Sequence, residues 1–289
     1  MGPANQRNSI PGLPVNRIVV ALGLLACLWT AQALAGPDQD RSSMIELFKD
    51  KFPGFALDEY VNGALMLSPD AKAQFDSIME FPPFQGEIDK GRKLWEKPFA
   101  NGRTFSGCFP DGGRMVAGNF PYFEAASDRV VTFEMAINRC LRENGEREFG
   151  YGDRETMGVL TAYARTLSDG MRVNVVVDGP AAQRRYQAGR ELYVRRIGQL
   201  NLACASCHVS YAGSYFRDEI ISPAIGQSTH FPVFRAGDFL HTLHMRYQRC
   251  MEAMRAVPFP AGSQELNDLE YFHSYLSNGL PMRASVYRK

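Results

Sequence analysis

Cys204-Ala205-Ser206-Cys207-His208 sets two thiols three positions apart and an imidazole directly after the second. That spacing suits one chemistry. The thiols bond the two vinyl groups of a porphyrin as thioethers, and the imidazole reaches the iron. Cys204 and Cys207 are therefore the expected covalent anchors of one haem c, and His208 its fifth iron ligand. A zinc half-site would need a second thiol or imidazole pair at similar spacing, and a thioredoxin-type dithiol a neighbouring βαβ pattern. The sequence offers neither.

The surroundings of this motif occur twice. Gly91-Arg92-Lys93-Leu94-Trp95 precedes Cys108 as Gly189-Arg190-Glu191-Leu192-Tyr193 precedes Cys204. Phe120-Pro121-Tyr122-Phe123 is answered by Phe231-Pro232-Val233-Phe234, and a lone cysteine follows at Cys140 and at Cys250. Each copy closes in an amphipathic helix, with Leu160, Tyr163 and Leu167 matching Leu269, Phe272 and Leu276, ended by Asp169-Gly170 or Asn278-Gly279. Self-similarity at this spacing marks a duplicated domain. A helical unit that attaches haem behind its first helix and ends in an aromatic-bearing helix is a cytochrome c pattern. The expected fold is mainly α, with two tandem cytochrome c-like domains. The β-branched run Met171–Val177 and then Asp178-Gly179-Pro180 set the boundary, giving residues 36–178 with an N-terminal arm and residues 179–289. In the arm, Met44–Phe48 and Pro69–Met79, the latter behind Ser68, read as short helices.

In the first copy the motif is Cys108-Phe109-Pro110-Asp111-Gly112. Asp111 and Gly112 stand where the second thiol and the imidazole would be, so this domain is expected to lack haem. Without a porphyrin between them, Cys108 and Cys140 would meet, and a disulfide is expected in an oxidising compartment. Two free buried thiols are the alternative.

That pairing leaves Cys250. Arg235–Arg249 reads as a helix with Phe239, Leu243 and Tyr247 on the face toward the haem, which places Cys250 opposite His208 as a candidate sixth ligand. Met245, Met251 and Met254 compete for that place, as do His241 and His244. Otherwise His230, His241 and His244 read as packing or surface imidazoles. Arg246 lies one turn before Cys250 and could clamp an oxyanion beside the sulfur. A haem propionate or solvent would serve it equally well, while Arg249 reads as solvent-facing.

The first 35 residues hold Arg7 and Arg17, no acid, an apolar run from Ile18 to Trp29, and Ala33-Leu34-Ala35 before Gly36. This is a secretory signal pattern, and its apolar run is short of the ~20 residues of a transmembrane helix. No later stretch approaches that length, so no transmembrane anchor is expected. Leu24-Leu25-Ala26-Cys27 offers a second reading, a lipoprotein box that would acylate Cys27. Export and c-type haem together point to the periplasm. A formal net charge of +1 gives no basic excess for nucleic acid.

From roughly Asp38 to Asn278 the chain resembles the SoxA family, the cytochrome subunits of SoxAX complexes in bacterial thiosulfate oxidation. The resemblance is carried by CASCH, Ser222-Pro223-Ala224-Ile225-Gly226-Gln227, Thr229-His230-Phe231-Pro232-Val233-Phe234-Arg235, Arg246-Tyr247-Gln248-Arg249-Cys250 and Pro258-Phe259-Pro260. Some members carry a second haem in the first domain, and this chain is similar to the single-haem type. The resemblance implies an L-cysteine S-thiosulfotransferase that joins thiosulfate oxidatively to a cysteine of a SoxYZ-like carrier protein. Electrons would pass through haem to a SoxX-like cytochrome. It further implies that Cys250 is the modified cysteine, a persulfide that also ligates iron, and that Arg246 binds substrate. Two other functions fit CASCH alone: a plain electron-transfer cytochrome, and a thiosulfate dehydrogenase that forms tetrathionate without a carrier.

Overall fold

The computed structural model describes residues 36–237 and 239–288 together with Gly2. The rest of the expected signal, with Cys27, lies outside the described residues. Pro37 at the first helical position and Asp38 and Asp40 in the first turn open α1 (Pro37–Lys51). The Ser68 hydroxyl accepts from the Ala71 amide at 3.2 Å and caps α2 (Pro69–Glu80). The arm formed by α1 folds back on the far end of the chain. Tyr275 donates to Asp38 at 2.7 Å, Arg190 pairs with Asp40 at 3.0 Å, and Arg41 donates to the Asn278 carbonyl.

The two repeats then follow one plan. The first runs α3 (Gln85–Glu96), a hairpin of β1 (Tyr122–Glu124) and β2 (Arg129–Val131), α4 (Phe133–Glu143) and α5 (Val159–Thr166). The second begins with α6 (Gly179–Val194) and adds a small hairpin, β3 (Tyr215–Phe216) with β4 (Glu219–Ile220). It continues with β5 (Val233–Arg235), β6 (Phe239–His241), α7 (Leu243–Ala253) and α8 (Gln264–Tyr275), and β7 (Val286–Tyr287) then pairs parallel to β5. The chain is mainly helical.

Opening and closing helices cross at a glycine in each repeat. A methyl group on Gly91 would lie 2.0 Å from the Val159 carbonyl oxygen, and one on Gly189 would lie 1.9 Å from that of Asp268. Any side chain there would push α3 off α5, or α6 off α8. Both crossings sit in a core that includes Trp95, Leu160, Tyr186 and Phe272.

The helix expected over Arg235–Arg249 is shorter in the structure. Ala236 and Gly237 turn the chain with φ of 48° and 99°, and Arg235 pairs with Phe239 across a hairpin. The helix starts only at Thr242, whose hydroxyl accepts from the Met245 amide at 3.3 Å. Phe239 is 44% exposed, so its spacing from Leu243 and Tyr247 was not a helical face. The first repeat is built the same way, with Thr132 accepting from Met135 at 3.3 Å to cap α4.

The run after α5 leaves the first repeat and pairs with the run after α8. Gly170 donates to Met282 at 2.9 Å and Met282 to Met171 at 2.8 Å. Val173 donates to Leu280 at 2.9 Å, and Gly279 to Val173 at 2.8 Å. Beneath this exchange Arg165, from α5, is buried between Glu134 of α4 and Glu270 of α8, 3.8 Å from each. His244 completes the cluster. The Gly262 amide donates to its Nδ1 at 3.0 Å, so its proton sits on Nε2, 3.0 Å from Glu270.

Candidate haem and thiol site

The loop between α6 and Cys204 is pinned to the end of α7. Gly198 sits there with φ of 71°, and a methyl group on it would lie 2.1 Å from the Met254 carbonyl oxygen. Only glycine fits both that backbone angle and that contact. Leu200 and Gln199 donate to the carbonyls of Met254 and Arg255, each at 3.3 Å. Cys204 is thereby held near the helix that carries Cys250. After it, Ser206–Ser210 form a wide π-type turn, and Lys51 of α1 donates to the Ser210 carbonyl at 2.8 Å.

His208 projects from this turn with its Nδ1 2.9 Å from the Ser222 carbonyl oxygen. A carbonyl only accepts, so Nδ1 carries the proton and Nε2 keeps its lone pair. Burial lowers the His208 pKa to about 4, so the ring is neutral, the state that binds a metal. One terminal atom of Gln227 lies 2.7 Å from the same Nδ1.

Cys250 is the eighth residue of α7. Cys204, Cys207 and Cys250 are all unbonded and half-buried. Burial, and after it the proximity of Cys250, raises the Cys204 thiol to about 12, and the same two causes raise Cys207. The Tyr193 hydroxyl, buried beside these three sulfurs, has no hydrogen-bond partner among the described residues. Of the competing ligands, His244 accepts the Gly262 amide on Nδ1 and has Nε2 3.0 Å from Glu270. Met245, Met251 and Met254 are 9%, 1% and 6% exposed, packed into the protein.

Arg246 is half-buried and has no carboxylate partner among the described residues. It lies close enough to His208 and His241 to disfavour their protonation. Arg249 faces solvent and pairs with Glu252 at 2.7 Å. His230 and His241, 7% and 6% exposed, are packing imidazoles rather than surface ones.

The first repeat places the same parts to a different end. Cys140 is the eighth residue of α4 and is bonded to Cys108, with 5.8 Å between Cα atoms. The Asn144 amide donates to the Cys140 carbonyl at 2.8 Å and to the Cys108 sulfur at 3.4 Å. Around the bridge, Trp95 stacks on Phe105 and Phe109 at 5.6 and 5.5 Å, and Phe133 meets Phe109 and Phe120 at 5.5 and 5.1 Å. Asp111, Gly112 and Gly113 all have positive φ, a backbone unlike the turn that carries His208. Sequence reasoning missed this aromatic packing, although each ring is visible in the sequence.

The residues of the second repeat fit a covalently held haem: two free thiols at the right spacing, and an imidazole fixed through Nδ1 with Nε2 available. Among the described residues no three His, Cys, Asp or Glu side chains gather as a separate metal site, and no helix is long and apolar enough to cross a membrane. The mainly helical scaffold and this site define a c-type cytochrome.

Comparison with known proteins narrows the class. A family model described as the SoxA/TsdA cytochrome c domain matches residues 90–173, the repeat without the attachment motif. An L-cysteine S-thiosulfotransferase subunit SoxA from Chlorobaculum tepidum is 41% identical over 87% of this chain and 88% of its own length. Its counterpart from Allochromatium vinosum is 36% identical over 88% and 91%. The crystal structure of SoxXA from P. pantotrophus is similar with a TM-score of 0.65 and 29% identity, covering 72% of this chain and 79% of that one. The chain belongs to the SoxA family of L-cysteine S-thiosulfotransferase subunits.

Proposed function

We propose that this chain carries one haem c, bonded to Cys204 and Cys207 and ligated by His208, and joins thiosulfate to a cysteine of a carrier protein at Cys250 and Arg246. The observation that carries this reading is the state of Cys250. It is an unbonded thiol beside the attachment turn, while its counterpart Cys140 is locked in a disulfide.

In the overall reaction one sulfur–sulfur bond forms between the outer sulfur of thiosulfate and the carrier thiol. That thiol's proton leaves, and two electrons leave with it. Bound haem supplies one-electron oxidation, so a partner cytochrome of SoxX type must take the electrons in turn. Cys250 can hold a thiosulfate-derived group covalently and yield it to the thiol of a SoxYZ-like carrier. Together with His208 it would ligate the haem iron. Arg246, free of any carboxylate partner among the described residues, offers a forked pair of donors to the sulfonate end. The reading extends to a haemless cytochrome c-like domain up to residue 178, a haem-binding one from residue 179, and a periplasmic location. A plain electron carrier would have no use for a free thiol beside the attachment turn.

The test uses thiosulfate-dependent conjugation to a thiol acceptor with the partner cytochrome present. Arg246→Ala should lose about ten- to a hundredfold in kcat/KM, the effect of one or two charge-assisted hydrogen bonds. Arg246→Lys should fall between, and the haem spectrum should not move. Parental turnover by Arg246→Ala would defeat the site assignment. Intact mass of the purified protein would report haem count, disulfide and any added sulfur together.

A further inference from the structure

We propose that Gln227 is a positioning residue for His208, and that with His273 and Tyr247 it forms a directed hydrogen-bond chain from the proximal imidazole to the helix carrying Arg246 and Cys250. This rests on His208 being the iron ligand.

The direction of the chain follows from which atoms can donate. Nδ1 of His208 donates to the Ser222 carbonyl, 2.9 Å away. With Nε2 of Gln227 toward that Nδ1, at 2.7 Å, donor would face donor. The two ends of a carboxamide differ in hydrogen bonding rather than shape, so the network decides the orientation. Turned over, Oε1 accepts from His208 Nδ1–H and from the Ser222 hydroxyl, 2.6 Å away. The amide nitrogen then donates to Nε2 of His273, 2.9 Å away. A neutral His273 that accepts on Nε2 carries its proton on Nδ1, which donates to the Tyr247 oxygen at 2.8 Å. In this direction no donor faces a donor from His208 to Tyr247.

All three side chains are buried, at 8%, 3% and 8% exposure for Gln227, His273 and Tyr247. The chain is therefore shielded from water, where such bonds count most. Two acceptors on Nδ1–H, Ser222 and Gln227, raise electron donation from Nε2 and stabilise the more highly charged oxidised iron. At its other end the chain holds Tyr247, the residue next to Arg246 and one turn before Cys250. Proximal ligand and thiol helix are thus tied by protein hydrogen bonds alone.

The experiment is an optical redox titration of the mature haem-loaded protein with Gln227→Leu, Gln227→Glu and Tyr247→Phe. Loss of one neutral hydrogen bond is worth about a threefold to tenfold change in the ratio of oxidised to reduced protein at fixed potential. Gln227→Leu should shift that ratio toward the reduced form by this factor, with tenfold equal to about 59 mV for one electron. Gln227→Glu, a charged acceptor, should shift it the opposite way. Tyr247→Phe should change the ratio by less than Gln227→Leu and raise KM for thiosulfate more than it lowers kcat. If both Gln227 variants move the potential the same way, or neither moves it, the proposal is overturned, since loosened packing has no such sign reversal. A parent protein whose magnetic spectra lack histidine ligation would instead defeat the assignment of His208, leaving a different fault to find.

Discussion

Cys140 and Cys250 stand at the same place in the same local structure: a three-residue hairpin pair, a threonine cap, and the eighth position of the helix that follows. One is spent in a disulfide and the other is free beside two more thiols. The scaffold therefore sets where the sulfur goes, and the attachment turn across from it decides what the sulfur does. The filling differs accordingly. Aligned on the cysteines and the helix starts, Phe105, Phe109 and Phe133 of the first repeat correspond to Asn201, Ala205 and Leu243 of the second. Aromatic rings supply the bulk in one repeat, where the other has smaller side chains.

The largest contrast should come from the two cysteines. Cys250→Ala is expected to abolish thiosulfate conjugation and alter the haem spectrum, and Cys140→Ala to leave both unchanged. Conjugation assays and absorption spectra of the pair decide it. If Cys140→Ala also abolishes transfer, the division of labour between the repeats is wrong.

Next in size is the bridge itself. Closing a loop of 32 residues should contribute about 2–4 kcal/mol, so Cys108→Ala should unfold at correspondingly lower denaturant while keeping its haem. A haem content that falls with the bridge would show that the repeats do not load independently.

The crossing glycines give a smaller, paired effect. Gly91→Ala and Gly189→Ala each overpack a helix crossing, with a cost of up to about 3 kcal/mol. Only Gly189→Ala should reduce haem loading in a pyridine haemochrome assay, because only α6 leads into the attachment turn.

The smallest effect is pH-dependent and belongs to one crossing. Asp268, where the first repeat has Val159, is buried and its pKa is raised to about 6. A carboxyl whose folded pKa is raised supports the fold while protonated, and that support is lost as pH rises through about 6. Asp268→Asn never ionises, so its stability relative to the parent should grow by about 1–2 kcal/mol between pH 5 and pH 7. A difference that is flat across that window would place Asp268 in a more polar setting.

CASCH, the paired lone cysteines and the Gly-x-x-Leu-aromatic openings were legible because each is a local spacing with a fixed geometric meaning. The start of α7 was not. Phe239, Leu243 and Tyr247 mimic a helical stripe, and only the turn at Ala236 and Gly237 with the cap at Thr242 breaks it. The Gln227–His273–Tyr247 chain was invisible for another reason. It joins residues 20 and more positions apart, and no periodicity links a glutamine in a loop to a histidine on a distant helix. Gly198 likewise looks like any turn glycine until Met254 is seen against it.

The Arg165 cluster has a consequence for why the first repeat persists beside the second. Its guanidinium comes from α5, one carboxylate from α4 and the other, with His244, from α7 and α8. Cutting the chain near residue 178 would leave Glu270 and His244 on one fragment, and Glu134 with the Arg165 that Glu270 faces on the other. The backbone exchange between residues 170–173 and 279–282 would be severed at the same stroke. Each half thus supplies charges and backbone partners that the other half buries, so the two repeats are joined by more than the chain that links them.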